Sequence, residues 1–108
     1  MVYSTTVLEE IKPEVNSYFQ SQGAVTYGLK LKLISSTFRV GGWLLEQILK
    51  PLSKNAADLV RSKSTQIADF LDTVTEVSEA ILASGFRAIG LPSDVASALA
   101  KIIVFLIL

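Results

Sequence analysis

The sequence predicts an all-α protein of about four to five amphipathic helices, in a small bundle or helical array, with an apolar C-terminal helix. Most apolar side chains recur at the spacing of one helix face. Glycine and proline separate the periodic segments. One segment alternates like a strand but has no second strand with which to pair. The length is that of one domain, so residues 1–108 are expected to form a single helical domain.

The first two helices are expected before the glycine pair Gly41-Gly42. One runs from about Thr5 to Gln22, where the apolar residues share a third of the helix circumference, and Pro13 falls on the polar side. Residues 25–40 fit both a strand and a helix, because apolar residues alternate with Lys30 and Lys32 but also recur at helical spacing. We favour the helix, since a lone strand would lack a partner.

The third and fourth helices are expected on either side of Pro51. A short helix begins at Trp43, which suits a core or subunit contact or a lipid interface. The fourth is predicted to be the longest, from Asn55 to about Ser84 or Ile89. Gly85 lies in its apolar face, where a small residue allows close approach of a neighbouring helix.

The last segment ends KIIVFLIL, and its apolar character spreads around the helix. Val104, Phe105 and Leu108 point away from the side that carries Ile102, Ile103 and Leu106. A helix that is apolar all round must be buried all round, and chain termini usually lie at the surface. We therefore expect another copy, a partner or lipid to cover this end, so that removing residues 104–108 leaves a folded, more soluble protein. The residues expected to make this assembly or lipid contact are Trp43, Leu44, Ile102, Ile103, Val104, Phe105, Leu106 and Leu108.

Charge is distributed in blocks along the neutral chain. Residues 30–63 contain seven basic and two acidic side chains, whereas residues 64–82 contain four acidic and none that is basic. The four acidic residues are spaced to lie along one edge of a helix, which is typical of a solvated face and less so of a metal or basic-partner site. The blocks could also attract each other within one protomer or between copies. Electrostatic contacts are expected at Asp69, Asp72, Glu76, Glu79, Lys30 and Lys32.

The residue types that are absent argue against an enzyme, and the apolar C-terminal segment favours a protein that binds another protein or lipid. Histidine and cysteine are absent, which removes the commonest general base and the thiolate nucleophile. We expect no enzymatic activity, cofactor or metal site. The favoured hypothesis is a structural subunit that self-associates or packs into a larger complex, with or without lipid, through its apolar C-terminal helix. A membrane-peripheral protein in contact with a lipid bilayer and a carrier of a small apolar ligand are the alternatives. Nucleic acid is disfavoured, because the chain is neutral and has no recognisable nucleic-acid module.

Overall fold

The computed structural model describes residues 2–108, and these form seven α-helices. The all-α prediction is confirmed, and the segment that fitted both a strand and a helix is helical. Within this range the β-type pairing is an isolated antiparallel bridge between Tyr3 and Leu52. The helices are α1 (Thr5–Ser21), α2 (Tyr27–Val40), α3 (Trp43–Leu49), α4 (Lys54–Ser62), α5 (Ser64–Leu71), α6 (Glu79–Ile89) and α7 (Ser93–Ile107).

The predicted number of four to five helices is wrong, because the fourth predicted helix is three separate helices in the described residues. Lys63 leaves helical geometry between α4 and α5, with φ −111° and ψ 14°. Residues 73–77 contain four β-branched side chains, which lose rotamer freedom in a helix. Ser78 then starts α6, and its hydroxyl accepts a hydrogen bond from the Ile81 backbone N–H at 3.1 Å.

Helix α7 packs against α1, α2 and α6. Ile102, Ile103 and Leu106 are fully buried, so the chain itself covers three residues that were expected to meet a partner. Alanines at 96, 98 and 100 are also buried, and their small side chains allow neighbouring helices to approach closely. One side of the terminal helix is thus covered by its own protomer.

Gly85 of α6 provides space for an aromatic ring of α5. A Cβ atom at this position would lie 2.0 Å from Cζ of Phe70. The Phe70 ring meets Phe86 edge to face, with ring centroids 5.6 Å apart, which is a favourable arrangement for aromatic pairs. The small residue predicted to permit a close helix approach therefore receives a side chain from the preceding helix.

We predict that Gly85→Ala destabilises the protein although alanine is the better helix former. Displacing the Phe70 ring should cost about 1–3 kcal/mol, which offsets the gain of up to about 1 kcal/mol from helix propensity. Gly28→Ala is the matched control, because a Cβ there would have no neighbour closer than 4.0 Å. Urea denaturation should place the Gly28 variant at or above the parent midpoint and the Gly85 variant below it. Equal midpoints for the two variants would show that Phe70 relaxes at no cost.

We also predict that removing residues 104–108 prevents cooperative folding, contrary to the expectation from sequence. The deletion removes Leu106 and Ile107, which are both buried. Leu106→Ala alone should cost about 2–5 kcal/mol, whereas Leu108→Ala should cost less than about 0.5 kcal/mol because this side chain is 67% exposed. Circular dichroism during urea denaturation measures the stability of the truncated chain and of the two alanine variants. A truncated chain that unfolds with the parent's midpoint would contradict the burial of this segment.

Candidate functional site

A half-open apolar groove of about 280 Å³ lies between α1, α6 and α7. Its apolar base contains Leu8, which is buried, and Val104 and Phe105, which are half-buried. Charged side chains stand exposed at its edge. The lining residues are Tyr3, Thr5, Leu8, Glu9, Glu79, Lys101, Val104, Phe105 and Leu108.

The groove follows from the register of α7. Lys101, Val104, Phe105 and Leu108 are spaced at i, i+3, i+4 and i+7, which places them on one face of the helix. The other side of α7 carries the core residues, so this face remains accessible between α1 and α6. The sequence indicated the three apolar members of this face, and the structure places them together in one groove.

The charged side chains at the edge of the groove are of both signs. Glu9, Glu79 and Lys101 are exposed, and none of them forms an ion pair within 4.0 Å among residues 2–108. Glu79 was expected to lie on a solvated helix face, but it is the first residue of α6. Its carboxylate therefore lies near the positive end of that helix dipole.

Two lysines bind the C-terminal end of α7 beside the groove. Lys12 of α1 donates a hydrogen bond to the Phe105 carbonyl, and Lys30 of α2 donates to the Ile107 carbonyl at 3.3 Å. These carbonyls lie in the last turn of the helix, where acceptors lack intrahelical donors and the dipole favours cations. The Lys12 ammonium also lies 4.6 Å from the centroid of the Phe105 ring. Burial, together with the charge of Lys30, lowers the pKa of Lys12.

Two of the four predicted acidic residues form ion pairs with another residue of the same chain, at the protein surface. Arg39 of α2 forms ion pairs with Asp69, at 2.9 Å, and with Asp72. The buried Ser35 hydroxyl donates to Asp72 Oδ1 at 2.5 Å and lies 3.1 Å from the Ala68 carbonyl. The Ser35 hydrogen bond, followed by Arg39, lowers the pKa of Asp72, and the same carboxylates raise the pKa of Arg39. These contacts join α2 to the end of α5, so one residue of the basic block pairs with two residues of the acidic block within the chain.

The remaining predicted residues lie at separate places. Trp43 is 44% exposed at the start of α3, with its ring centroid 5.3 Å from that of Tyr18. Leu44 is buried and so is not an accessible contact. Glu76 lies exposed between α5 and α6, because the helix that would have aligned it with Asp69 is interrupted. Lys32 is exposed on α2. The structure therefore does not gather the predicted contact residues into one surface.

Sequence reasoning missed the α1 contribution to the groove and the lysines that bind α7. Leu8 belongs to the apolar face predicted for the first helix, and no local pattern connects it or Lys101 with a groove. Lys12 and Phe105 are 93 positions apart, and no local pattern reports such a contact. For the ion pairs of Arg39 with Asp69 and Asp72, the separation of basic and acidic residues along the sequence was the signal.

The described residues bring together no group of three or more acidic side chains that could hold a metal ion. Across residues 2–108, no helix has both the length and the hydropathy needed to cross a bilayer.

The fold and the groove define a small all-α protein with a partly open apolar surface site. Residues 21–108 match the family described as "Uncharacterised protein YqxI", and the chain belongs to this family. The matched range includes α2 to α7. It therefore contains the groove residues from α6 to Leu108, but not Tyr3 or the groove residues of α1. No curated protein and no solved structure matches the chain.

We predict that Asp72→Asn lowers stability at neutral pH but not in acid. A carboxyl group whose pKa is lowered by folding stabilises the native state above its ordinary pKa of about 3.9. That contribution is lost as the pH falls through the lower pKa of the folded state. Urea midpoints of the parent and the variant should therefore differ at neutral pH and converge in acid.

Glu76→Gln is the matched control for this prediction, because Glu76 is exposed and forms no ion pair within 4.0 Å in the described part of the chain. Its urea midpoint should equal that of the parent at both pH values. An Asp72→Asn variant with the parent's midpoint at neutral pH would show that the Ser35 and Arg39 contacts contribute nothing.

Proposed function

We propose that this protein is a non-enzymatic helical assembly subunit that self-associates through the open apolar face of its C-terminal helix, α7. The observation that carries the proposal is the groove between α1, α6 and α7. Val104 and Phe105 are only half-buried there, and Leu108 is exposed, although the opposite side of α7 is covered. Removing these side chains from water would favour association.

A second copy of the chain is the occupant that the charges favour. In a two-fold interface the same surface patch occurs on both partners. Because the edge of the groove carries Glu9 and Glu79 together with Lys101, opposite charges can meet across such an axis. Among residues 2–108, none of the three has an ion-pair partner to give up. The chain has zero net charge, so two copies do not repel each other at long range.

A stable interface between two copies must bury more surface than the groove alone provides. A standard interface buries about 800 Å² per partner, so the flanking surfaces of α1 and α6 must take part. The apolar base then forms the centre and the charged edge forms the rim, which is the usual anatomy of a protein interface.

A carrier of small apolar ligands is less well supported. The groove of about 280 Å³ is slightly smaller than typical ligand pockets of about 300–1,000 Å³, and it is open to solvent. An enzymatic role is also less well supported, since the groove offers exposed carboxylates and an ammonium in a chain without histidine or cysteine.

We predict that Lys101→Glu shifts the protein from oligomer to monomer. The substitution leaves the groove with three acidic side chains and no basic one, and these repel the acidic side chains of a second copy. Adding Glu79→Lys to this variant should restore association in part, because the edge again carries both signs. Sedimentation velocity across a range of protein concentrations measures the shift.

Lys32→Glu is the matched control, since it makes the same charge change at an exposed site outside the groove. It should leave association unchanged. Val104→Ser should weaken association by removing two methyl groups, with circular dichroism confirming that the fold persists. A parent protein that stays monomeric at all concentrations would contradict self-association, and a control that dissociates like Lys101→Glu would place the interface elsewhere.

A further inference from the structure

A second apolar surface surrounds the connection between α1 and α2, where two shallow cavities meet at Ala24. One has a volume of about 270 Å³ and includes Val25, Lys30 and Leu108 in its lining. The other has a volume of about 370 Å³ and includes Leu29, Lys32 and Leu33. We call these six lining residues, outside Ala24, the α2 patch.

The apolar side chains of the α2 patch are unusually accessible. Val25 is 76% exposed and Leu29 is 45% exposed. Tyr27, which lies between them in sequence, is also exposed, and its ring combines an apolar body with a polar hydroxyl. Several neighbouring apolar side chains that are exposed to solvent are a feature of interaction surfaces.

The charged side chains of the α2 patch are both basic. Lys30 and Lys32 contribute to the lining, whereas no acidic side chain of residues 2–108 lines either cavity. The Lys30 ammonium already donates to the Ile107 carbonyl, so the cationic character of this surface depends on Lys32. Lys32 is exposed and forms no ion pair within 4.0 Å in the described structure. This surface therefore differs from the groove at α7, where both signs occur together.

We propose that the α2 patch binds the surface of an anionic lipid bilayer. Exposed apolar side chains flanked by lysine match the two requirements of such a surface, which accepts apolar groups at the acyl boundary and cations among the headgroups. In this arrangement Val25 and Leu29 enter the interface, while Lys32 contacts the headgroups. A second copy of the chain fits less well, because the patch offers no acidic side chain with which Lys32 of another copy could pair.

Flotation of the full chain with lipid vesicles tests this proposal. The protein should bind vesicles of phosphatidylcholine mixed with phosphatidylglycerol, should not bind vesicles of phosphatidylcholine alone, and should dissociate at high salt because headgroup attraction is screened. Val25→Ser should weaken binding about tenfold through the loss of two inserted methyl groups. Lys32→Gln should weaken it about fivefold through the loss of one headgroup contact.

Val40→Ser and Lys54→Gln are the matched controls. Val40 is 81% exposed at the opposite end of α2, and the Lys54 side chain is exposed at the start of α4. Both controls should bind vesicles as the parent does. Failure of the parent to bind anionic vesicles, equal binding to neutral vesicles, or an equal loss in the controls would overturn the proposal.

The vesicle-binding experiment can fail or succeed independently of the test of self-association. Val25→Ser and Lys32→Gln alter no residue that lines the α7 groove, so they should leave the sedimentation behaviour unchanged. Leu108 lines both surfaces and is left unaltered for that reason.

Discussion

Burial of α7 within its own chain constrains where the other helices lie. Enclosing the last turns of a helix hides carbonyls that have no intrahelical donor, and such acceptors must find partners. Lys12 and Lys30 supply them from α1 and α2, so the same contacts that satisfy the helix end also hold these helices beside it. The lowered pKa of Lys12 reflects the burial that this position requires. The face that α1 and α6 leave open becomes the groove.

The apolar face of the fourth predicted helix was identified only in part from sequence, and its continuity was wrong. Val60, Ile67, Leu71 and Leu82 lie on that face and are all buried. Phe70 and Val74, on the same predicted face, are half-buried, and Ile81 is 40% exposed. An unbroken helix from Asn55 to Ile89 would nevertheless be about 52 Å long, whereas the longest extent of the molecule is 33 Å. Periodicity did not reveal the breaks, because both interruptions leave the four buried residues on the side that faces the core. The β-branched run at 73–77 and the capping Ser78 were the local signals.

The candidate site was predictable only on the side that α7 contributes. The spacing of Val104, Phe105 and Leu108 shows that they share a face, and this requires no knowledge of other helices. Leu8 and Glu9 enter the site through the packing of α1 against α7, which joins distant parts of the sequence. Glu79 was identified through a continuous helix that does not exist, so its position beside Lys101 could not be derived. The charge blocks indicated that basic and acidic residues could attract each other, but no spacing in the sequence identified Arg39, Asp69 and Asp72 as the residues that pair.

The packing of α1 against α7 also affects the order of folding during synthesis. Lys12 and Phe105 meet across 93 positions, and contacts between distant residues slow folding because a long loop must first close. When the ribosome has released only α1 to α3, their apolar faces lack the helix against which α1 and α2 later pack. The nascent chain therefore exposes these faces until residues 93–107 have emerged, and incompletely folded chains of this kind are prone to aggregate.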